Sequence, residues 1–243
     1  MHGHVLSHIP DSRVAGAHPQ RHCVDCPALR AGCLHGLVGR GSAECHFETL
    51  VIEARTPFAL PAGSSYRLGW VRRGLLVRER PGADGRRVAV DVVGSGGAFY
   101  IDRRSASESD VCVGYAVTRT LLCMCPEAAL ERGLGEPGTT ALELHELGMC
   151  ALTRVECISE ARGRSEATAR VAALLCVLHD TLSSRPDPSG RLPAGLQQRD
   201  FARLLSLRHE SVCRVLRQLS ERGWIAQSAD GIQIVDRAAL QAQ

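Results

Sequence analysis

Leu196-Gln197-Gln198-Arg199-Asp200-Phe201-Ala202-Arg203-Leu204-Leu205-Ser206-Leu207-Arg208-His209-Glu210-Ser211-Val212-Cys213-Arg214-Val215-Leu216-Arg217-Gln218-Leu219 is the stretch whose reading decides the fold. It reads as two helices joined by a tight turn near Ser206. In the second helix Val212, Val215, Leu216 and Leu219 follow the i, i+3, i+4, i+7 rule and face inward. His209, Glu210, Cys213, Arg214 and Arg217 then fall on the opposite side. A helix that offers Glu and Arg from its first turns reaches base edges in the major groove. Arg214 suits a bidentate pair with guanine, and Glu210 suits a cytosine amino group. Arg208 stands where a capping Ser or Thr is common, so the helix start is expected to be poorly capped. After Gly223, the segments Trp224–Gln227 and Gly231–Val235 flank Ser228-Ala229-Asp230, which predicts a hairpin wing. Between positions 191 and 222 there are seven arginines and three acids, a local balance of +4 in a chain of net charge +3. That concentration suits phosphate contact.

Working back towards the N-terminus, Ser183-Ser184-Arg185-Pro186-Asp187-Pro188-Ser189-Gly190 is a loop, and a helix is expected before it from Ser165 to Leu182. Pro137-Gly138 opens a long helical stretch in which Leu144, Leu147, Ala151, Val155 and Ile158 recur at steps of three and four. This stripe is expected to form a coiled-coil-like seam between two chains; the alternative is a helix packed on its own β-domain. From Glu48 to Pro126 short β-type segments alternate with glycine turns: Leu50–Ala54, Trp70–Glu79, Arg87–Val93, Cys112–Val117 and Thr120–Cys125. Pro81-Gly82-Ala83-Asp84-Gly85 marks one turn between them. The expected fold is α+β: an arm over 1–45, a β-barrel over 46–135, a dimerisation helix over 136–164 and a winged helix-turn-helix unit over 165–243.

All 29 basic residues are arginine, which GC-rich codon usage explains without reference to function. Eleven cysteines, an odd number, do not suit a fully paired disulfide framework. No apolar run reaches eighteen residues, and Met1–Arg21 lacks the apolar core of a signal peptide, so a cytoplasmic location is expected. Clustered cysteines in that compartment point to metal or redox chemistry.

The order of β-barrel, long helix and winged helix-turn-helix resembles the Crp/Fnr family of bacterial regulators, over residues 22 to 237. Glu210-Ser211-Val212-Cys213-Arg214 is similar to the family's recognition-helix signature Glu-x-x-Ser-Arg or Glu-x-x-Gly-Arg, with Cys213 in place of Ser or Gly. Arg170-Val171-Ala172-Ala173-Leu174-Leu175 resembles the helix that links dimerisation to DNA binding. His209, where the cyclic-AMP branch has Arg, favours an Fnr-type half-site. The resemblance implies a jelly-roll sensor domain like those that bind cyclic nucleotides, a homodimer on near-palindromic double-stranded DNA, RNA polymerase as a partner, and no enzymatic activity.

A second resemblance concerns the arm. His22-Cys23-Val24-Asp25-Cys26 followed by Cys33 is similar to the cysteine cluster of the Fnr branch, though its Cys-x2-Cys-x6-Cys spacing is about one residue longer. That branch takes a fourth cysteine from the β-domain. Thr120-Leu121-Leu122-Cys123-Met124-Cys125-Pro126 matches the region best and points to Cys123, with Cys112, Cys125 and Cys45 as alternatives. Cys23, Cys26, Cys33 and Cys123 would then hold a [4Fe-4S] cluster that senses oxygen. Thiol–disulfide exchange at Cys23 and Cys26, a zinc site, haem, and a small ligand are the alternatives. The cyclic-nucleotide signature is incomplete. Gly96-Gly97-Ala98-Phe99-Tyr100 lacks the family's Glu, and Arg104-Ser105-Ala106 follows too closely. A β-barrel metal enzyme would need histidines and carboxylates on adjacent strands, and the expected strands carry almost no histidine.

Overall fold

Runs of Val, Leu, Ile and Phe alternating with polar residues build eight antiparallel strands, the pattern of sheets with one face on a shared core. They are β1 Glu48–Ile52, β2 Pro57–Leu60, β3 Tyr66–Arg73, β4 Leu75–Pro81, β5 Arg87–Gly94, β6 Ala98–Tyr100, β7 Val111–Ala116 and β8 Thr120–Pro126. In this computed structural model the described residues are 47–60, 64–82, 84–101, 111–135, 140–182, 190–192, 194–229 and 231–243. The strands form two sheets, ordered β1-β8-β3-β6 and β2-β7-β4-β5. That double-sheet order is a jelly roll. Between the sheets lies a core that includes Ile52, Phe58, Val71, Leu76, Phe99 and Met124.

The β-domain agrees with the sequence reading in type and differs in detail. The segment expected as a single strand, Trp70–Glu79, is broken at Gly74, whose φ of 107° suits glycine. Its two halves enter different sheets. Strands β2 and β6 are only four and three residues long, too short for alternation to show them. Gly114 (φ 152°) lets β7 approach β4, because a Cβ there would lie 1.9 Å from the Val77 carbonyl oxygen.

Helices cover the outer faces. They are α1 Glu127–Gly135, α2 Thr140–Gly163, α3 Ala167–Leu182, α4 Gln198–Leu205, α5 His209–Glu221 and α6 Arg237–Gln241. Leu144 and Leu147 of α2 pack with Leu130 of α1 on the outer face of the first sheet, against Leu68, Trp70 and Cys125. The outer face of the second sheet, with Leu75, Val77, Val92 and Tyr115, joins α3, α4 and α5 in one continuous core.

The long helix corrects the expected seam. Leu147, Ala151 and Ile158 are buried within the single chain, and Leu144 and Val155 are half-buried. The stripe therefore serves the helix's own domain. The inward face also carries a buried cation. Arg154 forks onto Asp91 of β5, with Nε 2.7 Å from Oδ1 and a terminal nitrogen 2.9 Å from Oδ2. It also donates to the Ala98 carbonyl at 3.0 Å. Arg78 of β4 stands 3.7 Å from the same carboxylate, which is fully buried. The opposite face exposes Leu142 (60%), Met149 (47%) and Leu152 (48%). Apolar residues thus stand on both faces, and periodicity alone could not say which one a partner would cover.

Asp91→Ala should destabilise the protein by about 3–5 kcal/mol, because it leaves Arg154 buried without its counter-charge. Chemical denaturation measures this, and a loss below about 1 kcal/mol would show that Asp91 is not the anchor of the long helix.

Candidate nucleic-acid interface

The C-terminal unit builds its surface from α4, α5 and the hairpin of β9 Ile225–Ser228 and β10 Gly231–Ile234. The turn between the helices falls at Ser206, as expected, in the left-handed conformation (φ 53°). The Leu207 amide donates to the Ala202 carbonyl at 3.0 Å and closes the end of α4. Val212, Val215, Leu216 and Leu219 are buried against Phe201, Leu204 and Leu205, as their spacing predicts. This shared core makes α4 and α5 one rigid piece. The α5 cap is also as read: Arg208 offers no side-chain cap to the helix start.

The outward side chains fall where the sequence places them. His209, Glu210, Arg214 and Arg217 are exposed, and Cys213 is half-buried. Cys213 differs from the others because its thiol donates to Gln198 Oε1 at 2.6 Å and lies 3.5 Å from His209 Nδ1. It ties the recognition helix to the start of α4 instead of standing alone before a base. Gln198 was not singled out from the sequence, since a polar residue at a helix start carries no motif. A cleft of about 370 Å³ opens beside it, lined by Gln197, Gln198, Arg199, His209, Gln227 and Ser228. The cleft runs from the first helix to the wing and lies along the face that would meet a nucleic-acid backbone.

The positive balance of the sequence count survives in the fold, where one charge of each sign is met from the β-domain, Asp200 by Arg55 and Arg203 by Glu79. All seven arginines between 191 and 222 have exposed side chains. Of the three acids, Asp200 is fully buried and salt-bridged to Arg55, so it subtracts little from the surface. The wing is tied to α5 by Gln227, whose side-chain amide donates to the Leu216 carbonyl at 3.3 Å, and at the approach to it Arg222 lies over the Trp224 ring at 4.9 Å. Arg237 of α6 holds Asp180 of α3 by two hydrogen bonds, the longer at 2.7 Å. That guanidinium also keeps the Asp180 carboxyl below the ordinary carboxylate range.

Cys23, Cys26, Cys33 and Cys45 lie outside the described residues. Cys112 stands in β7. Cys123 and Cys125 share the outer face of the first sheet, under α1 and α2. Cys125 is fully buried, whereas Cys123 is half-buried opposite Thr49 of β1. Trp70 pairs with Cys123 across the strands. Its buried Nε1–H finds no acceptor among the described residues. Among the described residues, no three His, Cys, Asp or Glu side chains come together as a metal site. No helix of the described residues is long and apolar enough to cross a membrane.

Residues 169–243 match the family described as the Crp-like helix-turn-helix domain. No curated protein matches the chain in sequence. Solved structures match it in fold. FixK2 from Bradyrhizobium japonicum aligns with a TM-score of 0.67 at 21% identity, over 82% of this chain and 97% of its own. A CRP-family transcriptional regulator from Thermus thermophilus aligns at 0.60 and 21% identity, over 79% and 94%. The c-di-GMP responsive global regulator CLP from Xanthomonas campestris aligns at 0.57 and 17% identity, over 78% and 94%. Identities this low establish likeness of fold alone. The chain has the Crp/Fnr-type fold, and its C-terminal part is a Crp-like helix-turn-helix domain.

Arg214→Ala should cost about 1–3 kcal/mol on the best DNA site and relax discrimination at one base position. Fluorescence anisotropy on a panel of single-base variants checks this. An equal loss on every sequence would make Arg214 a phosphate contact.

Proposed function

We propose that the protein is a dimeric transcription regulator of the Crp/Fnr type that reads double-stranded DNA with α5. The observation that carries this reading is the exposed row of Glu210, Arg214 and Arg217 on the second helix of a Crp-like helix-turn-helix domain. Two such helices would enter successive major grooves of a near-palindromic site, about 34–36 Å apart. RNA polymerase is the further partner that the resemblance implies. Selection of binding sites from random duplexes tests the reading. Enrichment of a two-fold-related motif supports it, and purely non-sequence-specific binding would overturn it.

The second chain would meet the outward face of α2. Leu142, His145, Met149 and Leu152 follow the 3-4-3 spacing of a coiled-coil seam, and the three apolar members are exposed. Met149→Glu combined with Leu152→Glu should yield a folded monomer by analytical ultracentrifugation, with weaker DNA binding. A variant that stays dimeric would place the interface elsewhere.

The sensor we propose is a [4Fe-4S] cluster held by Cys23, Cys26, Cys33 and Cys123. Cys123 and its surroundings fit such a group. Cys123 is half-buried, not sealed, and stands opposite Thr49 in β1, the strand that follows the arm in sequence. The indole N–H of Trp70, without an acceptor among the described residues, lies on the same face, and thiolate sulfur is an acceptor for it. Cys125, with no exposed surface, would need the packing of α2 opened before it could ligate iron. Such a cluster supplies an oxygen-labile tie between the arm and the jelly roll. Leu144 and Leu147 of α2 rest on the Cys123 face, while Met149 and Leu152 point away from it. A change at Cys123 would therefore reach the proposed seam through a single helix. The reading is that of a sensing regulator, with thiol–disulfide sensing as the second reading.

Protein purified without oxygen should be brown, with matched iron and acid-labile sulfide, and should bleach in air. Cys23→Ala and Cys123→Ala should each lose the cluster, while Cys125→Ala keeps it. Colourless wild-type protein from a cluster-competent preparation would remove the iron–sulfur reading and leave the DNA-binding one standing.

A further inference from the structure

Asp200 stands in the first turn of α4, and its carboxylate is buried among donors from both domains. Arg55, in the turn between β1 and β2, places one guanidinium nitrogen 2.8 Å from Oδ1 and 2.9 Å from Oδ2. Its other terminal nitrogen donates to the Gly195 carbonyl. Tyr115 of β7 donates its hydroxyl to Oδ1 at 2.8 Å. The Gln197 amide donates to Oδ2 at 2.7 Å, which caps α4. One turn further on, Arg203 pairs with Glu79 of β4 at 3.2 Å and lies over the Tyr115 ring at 5.0 Å. At the far end of α4, Arg162 of α2 bridges the Leu204 and Ala89 carbonyls at 2.8 and 2.6 Å.

These contacts are not needed to fold the helix-turn-helix. The cap on Gln197 is made within the C-terminal unit, and the core of Phe201, Leu204, Val212 and Val215 closes α4 onto α5. Nor do Arg55, Tyr115 or Asp200 stand on the exposed row of the recognition helix. What they add is direction. Apolar packing alone lets a helix slide or roll over a sheet, whereas Arg55 fixes it at two points, with one nitrogen on both Asp200 oxygens and the other on the Gly195 carbonyl. Arg55 is held at φ 65°, a left-handed conformation that residues with a side chain seldom adopt. Its amide bonds the Ala116 carbonyl at 2.7 Å, next to Tyr115, so both barrel members of the cluster are set by the same pair of strands.

We propose that Arg55, Tyr115 and Asp200 are positioning residues that fix the angle of the recognition helix on the jelly roll, and so fix the half-site spacing that the dimer accepts. The inference rests on the proposed DNA-binding function. Because α4 and α5 move together, any roll of α4 on the second sheet carries the recognition helix with it. Successive bases lie only about 3.4 Å apart along a strand, so a small roll brings a different register within reach. Two subunits whose helices are held at fixed angles measure a distance. Two whose helices swivel tolerate several.

The experiment uses the full-length dimer and a half-site selected with the wild-type protein. Duplexes carry two copies of that half-site at the best spacing and at spacings one and two base pairs shorter or longer. Arg55→Met combined with Tyr115→Phe should bind the best duplex roughly five- to tenfold more weakly and should lose most of the wild-type preference for that spacing. Arg55→Lys, which keeps the charge but replaces the two contacting nitrogens by one, should flatten the preference too. Tyr115→Phe alone keeps the packed ring and serves as the variant least exposed to misfolding. It should move in the same direction. Thermal melts and sedimentation verify a folded dimer in each case. A folded dimer that is weakened equally at every spacing, or that binds like the wild type, would overturn the proposal. Wild-type protein that selects no paired half-sites would instead strike at the regulator reading itself.

Discussion

The outer face of the second sheet cannot be left in water. Leu75, Val77, Ala89, Val92 and Tyr115 make it apolar, and the elements that cover it come mainly from the C-terminal unit. This burial is non-directional and drives association of the two units without choosing an angle between them. It also explains why the core of the helix-turn-helix and the core behind the second sheet are continuous. The polar contacts around Asp200 are set into that apolar interface. Burying a charge there is costly unless it is paired and hydrogen-bonded. Asp200 meets the condition with donors from Arg55, Tyr115 and Gln197. Burial and the neighbouring carboxylate hold the Tyr115 hydroxyl well above its ordinary titration range, so it remains a donor.

The same logic holds on the other side of the molecule. Arg154 lies on the inward face of α2 because Asp91 waits for it in β5. The helix is thereby attached to the jelly roll by apolar and ionic contacts together. Its second face stays outside, and a row of exposed apolar side chains on a folded domain invites burial against another surface. One helix thus links three places: the first sheet with Cys123 on its outer face, the unclaimed apolar row, and, through Arg162, the end of α4. The proposed sensor, dimer seam and reading head, connected in this way, would not need a long relay.

How far this was legible can be followed residue by residue. The recognition helix was readable because Val212, Val215, Leu216 and Leu219 leave a strict helical period, and the row opposite them contained only residues that function could claim. The jelly roll was readable as alternation and turns, but not as two sheets, since strand partners depend on contacts between distant segments. Gly74 marks the point where one apparent strand changes sheets, and one glycine among many does not announce that. The dimer stripe was misread for a definite reason. Leu144, Leu147, Ala151, Val155 and Ile158 do form a periodic row, but Leu142, Met149 and Leu152 form another on the same helix, and spacing does not say which row its own jelly roll covers.

What the sequence determined by itself is local. It set the helical periods, the turn at Ser206, the poor cap at Arg208, the arginine-rich balance between 191 and 222, and the order of the parts. Each follows from interactions among residues close along the chain, where spacing is geometry. Tertiary structure decided everything that joins distant segments. It turned one stripe of α2 inward and left the other exposed. It hid Asp200 from the surface charge and brought Arg55 to it across 145 positions of sequence. It bent the Cys213 thiol towards Gln198. Such pairings are chosen by which faces must be buried together and which charges must then be met, and spacing along the chain carries no record of either.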